Sequence, residues 1–317
     1  MASDPMARKT TSSRAAALHL VLPATSANLG PAFDAAALAM DFYLQVNARS
    51  APFFSISATG RDRELCGNLQ DHLILNTYRE ILEAEGREVI PLALRLKNEI
   101  PIGKGCGSSA AARIAGIALA VHFGRLRWSD DQIVGEASRR EHHPDNASAC
   151  WWGGLTVARM SGAAEVQVIR LQPKGKWPLL VAVPDEPLST EEARRVLPTQ
   201  YSRADAVANV QNAMLLLAAF TQGRPGLLSA ALEDRLHQPY RAPLCPMLPC
   251  LQPLAGKDGI LGAALSGAGP SVLIFLDPRV AARKTRKSVA DHLARHGITA
   301  ELLLTTTATR GARRTRL

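Results

Sequence analysis

Between positions 101 and 111 the chain reads Pro-Ile-Gly-Lys-Gly-Cys-Gly-Ser-Ser-Ala-Ala, with three alternating glycines and two hydroxyls directly behind them. Glycine reaches backbone angles closed to other residues and lets a ligand approach the main chain. A turn built this way aims several N–H donors at one point. A helix opening behind it adds positive dipole character, so an anion of phosphate size is the expected guest. The hydroxyls of Ser108 and Ser109 can cap that helix or ligate a magnesium ion. Neither common nucleotide loop fits. Lys104 precedes the last two glycines, which is the wrong order for GxxxxGK[ST], and the third glycine comes one residue early for GxGxxG. The bland alternative is a strand-to-helix turn that binds nothing.

A second group with chemical potential is Glu136, Glu141, His142, His143, Asp145 and Asn146. His, Asp and Asn together invite a metal reading, but HHxDN lacks the i, i+4 histidine pair of a zinc protease. Pro144-Asp145-Asn146 is equally good helix-start chemistry.

The elements that must position these groups follow from periodicity and punctuation. Residues 92–96 read as a strand feeding the glycine turn, and an alanine-rich helix continues from the serines to about residue 123. Residues 18–22 read as a strand and 23–34 as a loop, and strands follow at 42–48 and 53–58. Apolar residues at helical spacing predict a helix over 71–85, stopped by Gly86, and Ser129 caps a helix over 130–140. Strands are expected at 155–159, 166–171 and 179–183, then a core helix over 204–220 and an irregular run at 242–253. A strand, a glycine-rich turn and a strand span 260–275, followed by a helix near 286–296 and a strand near 300–305. The Pro-, Gly- and Lys-rich segment 173–178 is the best boundary, giving units of 15–172 and 173–317.

Composition restricts the function classes. With 317 residues, 47% hydrophobic and 21% charged, the chain suits two ordinary globular units. The net charge of +9 is concentrated at the ends, in Arg8, Lys9 and Arg14 and in Arg310, Arg313, Arg314 and Arg316. Without aromatic interleaving or a recognised module, these read as solvated termini rather than a nucleic-acid arm, and residues 1–14 are expected to be disordered. Five cysteines with no CxxC pair and no histidine at zinc spacing point to free thiols in a reducing cytosol. Residues 8–24 imitate a secretion signal, but His19 and Pro23 interrupt its apolar stretch. No apolar run approaches the roughly 20 residues that cross a bilayer.

Residues 101–111 closely resemble the phosphate-loop signature PxGxGxGSSAA of the GHMP small-molecule kinases. Residues 23–34, Pro-Ala-Thr-Ser-Ala-Asn-Leu-Gly-Pro-Ala-Phe-Asp, resemble the opening motif of the homoserine kinases within that superfamily, with Ala32 where glycine is usual. His143-Pro144-Asp145-Asn146 resembles another homoserine kinase motif, although Ala147-Ser148-Ala149 stands where Val-Ala-Pro is usual. Thr190…Ala193-Arg194 before Leu197-Pro198, and His237-x-Pro239-x-Arg241, resemble two more, and residues 262–271 resemble the third superfamily signature. In order, these motifs span residues 22–272.

The resemblance implies an α+β, two-domain GHMP kinase fold: an N-terminal mixed sheet carrying the phosphate loop, a ferredoxin-like C-terminal α/β domain, and an active site in the cleft between them. It implies transfer of the γ-phosphoryl of ATP to the side-chain hydroxyl of L-homoserine, giving O-phospho-L-homoserine in threonine biosynthesis. The alternative is a sister kinase acting on another hydroxylated amino acid or a mevalonate-like substrate. Pro101, Ile102, Gly103, Lys104, Gly105, Cys106, Gly107, Ser108, Ser109 and Ala110 would hold the nucleotide. Asn28, Asp34, His143, Asn146, Thr190, Arg194 and Arg241 would bind the amino acid, with Asp145, Asn146 and Arg194 nearest the chemistry. An Asp suits an ammonium, and two arginines can clamp one carboxylate. Mg²⁺ would be held by Ser108 with either Glu136 or Glu141. A cytoplasmic enzyme without nucleic-acid or membrane partners is expected, and a homodimer is allowed.

Overall fold

A computed structural model describes residues 15–316; Arg8, Lys9 and Arg14, and the disorder expected of residues 1–14, lie outside them. The first unit begins with β1 (Leu18–Ala27), β2 (Ala36–Ser50), β3 (Ser55–Gly60), α1 (Arg63–Gly67), α2 (Leu73–Ala84) and β4 (Leu92–Asn98). It continues with α3 (Ser108–Phe123), α4 (Asp130–Glu141), α5 (Asp145–Trp152), β5 (Leu155–Met160) and β6 (Val166–Leu171). The second unit holds β7 (Pro178–Val183), α6 (Thr190–Arg195), α7 (Arg203–Gln222), α8 (Leu228–Ala231), α9 (Gln238–Arg241) and α10 (Met247–Leu251). Then come β8 (Ile260–Leu265), β9 (Val272–Leu276), α11 (Ala282–Arg295) and β10 (Glu301–Thr306), and β11 (Arg313–Arg316) closes the described chain.

The first sheet runs β11-β1-β2-β4-β3, with β5 also paired to β2 and β6 paired to β5. Only β3 and β4 are parallel among these pairs, so the sheet is mixed. The second sheet is antiparallel in the order β10-β7-β9-β8, which numbered from β7 is the ferredoxin-like order 4-1-3-2. Alternation divides its faces: Leu179, Val181 and Val183 join the core shared with the first unit, whereas Leu180 and Ala182 face α10 and α11. Phe220 of α7 joins the shared core, with its ring 4.7 Å from Trp177 and 5.6 Å from Phe275.

The phosphate-loop helix is enclosed along most of its length. Ala110, Ala111, Ile114, Ala115, Ile117, Leu119 and Ala120 of α3 are all buried. A side chain on Gly116 would begin 2.6 Å from the Ile74 carbonyl, so α2 and α3 meet backbone to backbone at that point. The helix that aims the glycine loop is therefore wedged between α2 and the first sheet, and cannot shift without opening the core.

Five expectations need correction. β1 does not stop before Pro23 but runs on to Ala27, the register shifting between Pro23 and Ala24. A bulge accommodates a proline that lacks a ladder donor. The helix expected to be core, α7, is buried only in part: Val207, Val210 and Met214 are exposed. The irregular run is a chain of short helical turns, including α10. The division at residue 173 does not hold to the end of the chain, nor is the basic C-terminus a loose tail. Arg313–Arg316 pairs with Leu18–Val21, Arg314 donates to Asp130 at 2.6 Å, and its guanidinium lies 4.8 Å from the Trp151 ring centre.

Candidate active site

A cleft of about 630 Å³ opens where the glycine loop, the loop after β1, the start of α5, α6, α9 and the turn between β8 and β9 converge. Gly103, Gly105 and Gly107 all have positive φ, at 69°, 76° and 73°. A Cβ on Gly105 would sit 2.1 Å from the Ser266 carbonyl oxygen, and one on Gly107 would sit 1.9 Å from Thr25 Oγ1. Glycine is thus required twice over, by angle and by close approach. The turn between β8 and β9 docks on the loop: Ser266 Oγ donates to the Gly105 carbonyl at 2.7 Å, and Ser271 N–H to the Lys104 carbonyl at 3.3 Å. That turn is a hairpin connection and also a wall of the cleft.

Six of the ten expected loop residues line the cleft: Gly103, Gly105, Gly107, Ser108, Ser109 and Ala110. The other four do not. Cys106 is wholly buried and Pro101 is buried. Ile102 faces a neighbouring cavity, and the Lys104 ammonium donates to the Asp185 carbonyl. Lys104 thereby ties the loop to the second unit, a tie repeated by Leu188 N–H donating to the Gly103 carbonyl at 3.2 Å. The neighbouring cavity, about 1050 Å³, shares Gly103, Ser108 and Ser109 with the cleft and is walled by Leu65, Leu73, Ile74, Ile100 and Ile102.

The two magnesium candidates separate cleanly. Glu136 is turned away: its carboxylate accepts from Arg139 and Arg140, all at 2.7 Å, and it does not line the cleft. Burial would push that carboxyl up, but the two guanidinium groups hold it below its ordinary value. Glu141 lines the cleft, and its Oε1 accepts from Ser109 Oγ at 2.7 Å and Arg113 Nε at 2.5 Å. Arg113 was not expected in the site. Its sequence signal is a guanidinium one turn beyond Ser109 in a helix otherwise apolar or small until His122.

The expected amino-acid ligands also converge. The Asp34 carboxylate accepts two bonds from Arg194, at 2.6 and 3.0 Å. Asp34 has a φ of 52° and is held there by Asn28, whose Oδ1 accepts the Asp34 N–H at 2.9 Å while its Nδ2 donates to the Gly267 carbonyl at 2.8 Å. Asn28 lines the cleft with both ends of its amide engaged by the protein, so it positions Asp34.

Arg241 is 1% exposed. Its Nε donates to the Ala193 carbonyl at 2.9 Å and its Nη1 to His237 Nδ1 at 3.0 Å. His237 Nε2 donates to the Gly30 carbonyl at 2.8 Å, which fixes the neutral tautomer. Burial pushes His237 down to about 4, and burial together with the nearby Arg194 charge pushes Arg241 down to about 10. Phe33 lies beneath both arginines, with guanidinium carbons 5.5 and 5.3 Å from its ring centre. Phe33 and His237 belong to the motifs quoted above, but their spacing alone gave no sign of these roles.

At the start of α5, Asp145 Oδ1 accepts from His143 Nδ1 and from the Asn146 N–H, both at 2.6 Å. Thr25 Oγ1 donates to Asn146 Oδ1 at 2.7 Å. Burial alone would lower His143, but the Asp145 bond and the charges of Asp145, Asp34 and Glu141 outweigh it and hold the imidazole above its ordinary value. Thr190, the first residue of α6, is exposed at the cleft rim. Donors for an anion, an acid and a pair of guanidinium groups therefore face one crevice.

Comparison with known proteins agrees with that geometry. The family model described as the GHMP kinases N terminal domain matches residues 72–154, and the GHMP kinases C terminal model matches residues 216–295. A curated homoserine kinase of Solibacter usitatus is 44% identical, covering 82% of this chain and 85% of its own. The chain belongs to the homoserine kinase family of GHMP kinases. Another curated member, from Deinococcus radiodurans, is 35% identical over 89% of this chain and 91% of its own. The fold agrees with the crystal structure of homoserine kinase from Cytophaga hutchinsonii at a TM-score of 0.79 and 23% identity, over 99% of this chain and all of that one. The α+β fold with N- and C-terminal GHMP kinase domains is thereby established for the chain.

Proposed function

We propose that this chain phosphorylates L-homoserine, moving the γ-phosphoryl of ATP onto the side-chain hydroxyl to give O-phospho-L-homoserine for threonine biosynthesis. The observation that carries the reading is the single cleft in which the glycine-loop N–H groups at the start of α3 meet Asp34, Arg194 and Arg241. A zwitterion needs both signs of charge, whereas a mevalonate-like substrate has no ammonium for Asp34. Five free cysteines suit a cytoplasmic location.

Phosphoryl transfer needs positioning and charge neutralisation more than covalent help. The loop backbone from Gly103 to Ser109 would cradle the phosphates at the N-terminus of α3. The apolar cavity sharing Gly103, Ser108 and Ser109 would take the adenine base. Ser108 and Glu141 supply hard oxygen donors of the kind Mg²⁺ takes, and they would hold it; the ion would neutralise phosphate charge. Arg113 donates to the Glu141 carboxylate and would share it with the ion.

On the acceptor side, Asp34 would take the ammonium, and Arg194 and Arg241 the carboxylate, with Thr190 at the rim. Asn146, oriented by Thr25, and His143 would contact the substrate near its hydroxyl. Asp145 would sit beside that hydroxyl, its carboxylate already held by His143 and the Asn146 N–H. A loose transition state asks little of a base, so orienting these neighbours is its principal task.

The test is ADP release by purified protein offered homoserine, threonine, serine or mevalonate with ATP and Mg²⁺. Preference for homoserine is expected. Turnover of mevalonate without turnover of homoserine would overturn the assignment.

A further inference from the structure

A second cluster of reactive side chains lies on α10 and α11, and none of its members lines the cleft. The thiol of Cys250 and one nitrogen each of His292 and His296 lie within 4.8 Å of one another. The two histidines are one helical turn apart at the end of α11, their ring centres 4.4 Å apart, and Cys250 approaches from α10. Sequence reading passed over this group because the cysteine stands 42 positions from the nearer histidine.

One hydrogen bond to a carbonyl orients each ring. His292 Nε2 lies 3.0 Å from the Cys250 carbonyl oxygen, and His296 Nδ1 lies 2.8 Å from the His292 carbonyl oxygen. A carbonyl oxygen only accepts, so these nitrogens carry protons, and it is the other nitrogen of each ring that can give a lone pair to a metal. A backbone carbonyl orienting an imidazole through its far N–H is the usual outer partner of a metal-ligating histidine. The C-terminal end of a helix carries negative dipole character, which also favours a cation.

We propose that Cys250, His292 and His296 form a zinc-binding site that ties α10 to α11. One thiolate and two imidazoles make a soft, nitrogen-rich donor set that selects Zn²⁺ over the hard, oxygen-seeking Mg²⁺ of the nucleotide site. Cys250 and His292 are half-buried and His296 is exposed, which leaves the fourth position to water. Burial pushes the Cys250 thiol up, so the thiol proton leaves for solvent as the Zn–S bond forms. α10 and α11 both cover the outer face of the second sheet through Leu248, Leu251, Val289 and Leu293. The ion would therefore cross-link a short helix to the long one it packs against.

The test uses the full chain, freed of metal by chelation and held in excess Mg²⁺ to fill oxygen-ligand sites. Zinc titration calorimetry should give about one equivalent per chain, and Co²⁺ should produce a thiolate-to-metal charge-transfer band. Cys250→Ser should abolish the band, and His296→Ala should weaken zinc binding at least tenfold. Zinc should raise the unfolding temperature of the wild type and not of Cys250→Ser. Zinc bound equally tightly by Cys250→Ser, or cobalt bound without the thiolate band, would overturn the proposal. The wild-type cobalt spectrum decides alone should a variant fail to fold.

Discussion

Asp34 and Arg194 hold each other, so an incoming amino acid must part them. Asp34→Asn tests this directly, because it keeps the side-chain shape and removes the charge. The two side chains are 29% and 35% exposed, so solvent screens the pair and its loss frees Arg194 by about 1 kcal/mol. Against that gain, the substrate ammonium loses a charge-assisted hydrogen bond of about 2–3 kcal/mol. The balance is a loss of about 1–2 kcal/mol, or a roughly 5- to 30-fold fall in kcat/KM for homoserine. For 4-hydroxybutyrate, which has the carboxylate and hydroxyl but no ammonium, only the gain remains, and a roughly fivefold rise is expected. ADP release at subsaturating acceptor, in wild type and variant, measures both. A fall by the same factor for the two acceptors would refute the argument.

Other perturbations probe other parts of the site. Glu141→Gln should raise the Mg²⁺ concentration needed for half-maximal activity at least tenfold, whereas Glu136→Gln should leave the magnesium titration in place. Gly105→Ala forces a Cβ to within 2.1 Å of the Ser266 carbonyl at a φ of 76°, so a loss of at least about 2 kcal/mol in urea unfolding is expected, with weakened ATP binding. His143 is held above its ordinary value, so its contribution to stability is fully present below its unfolded pKa and is lost as pH rises through the folded one. The stability gap between wild type and His143→Asn, followed by urea unfolding, should therefore narrow as pH is raised from about 5.5 through and beyond the histidine range.

The glycine loop was legible because its chemistry is local: alternating residues without Cβ, then hydroxyls, then a helix. Capping was legible for the same reason. Ser129 caps α4 by accepting the N–H group of Gln132. The contacts that decide roles were not legible, because they join distant segments. Nothing in the spacing of Glu136 and Glu141 distinguishes them; Arg139 and Arg140 claim one, and Ser109 presents the other. Lys104 looks like a phosphate ligand beside three glycines, yet a carbonyl from the second unit takes it. Pro23 reads as the end of a strand until a bulge lets the ladder continue past it. The exposed residues of α7 pass for core because apolar periodicity says that a face exists, not what covers it.

The strand made by Arg313–Arg316 puts the end of the described chain beside its beginning, with Leu18 opposite Arg316. Just before that strand, Ala312 N–H donates to the carbonyls of Cys150 and Trp151, and a Cβ on Gly311 would sit 2.0 Å from the Trp151 oxygen. The closing residues are thus clamped to the end of α5, whose other end presents Asp145 and Asn146 to the cleft. Joining the adjacent ends with a short linker and reopening the chain at an exposed loop should give a circular permutant that still folds. Trimming those few arginines, by contrast, would loosen α5 at its far end, about a dozen ångströms from Asp145 and Asn146 by its span of eight residues at the usual rise.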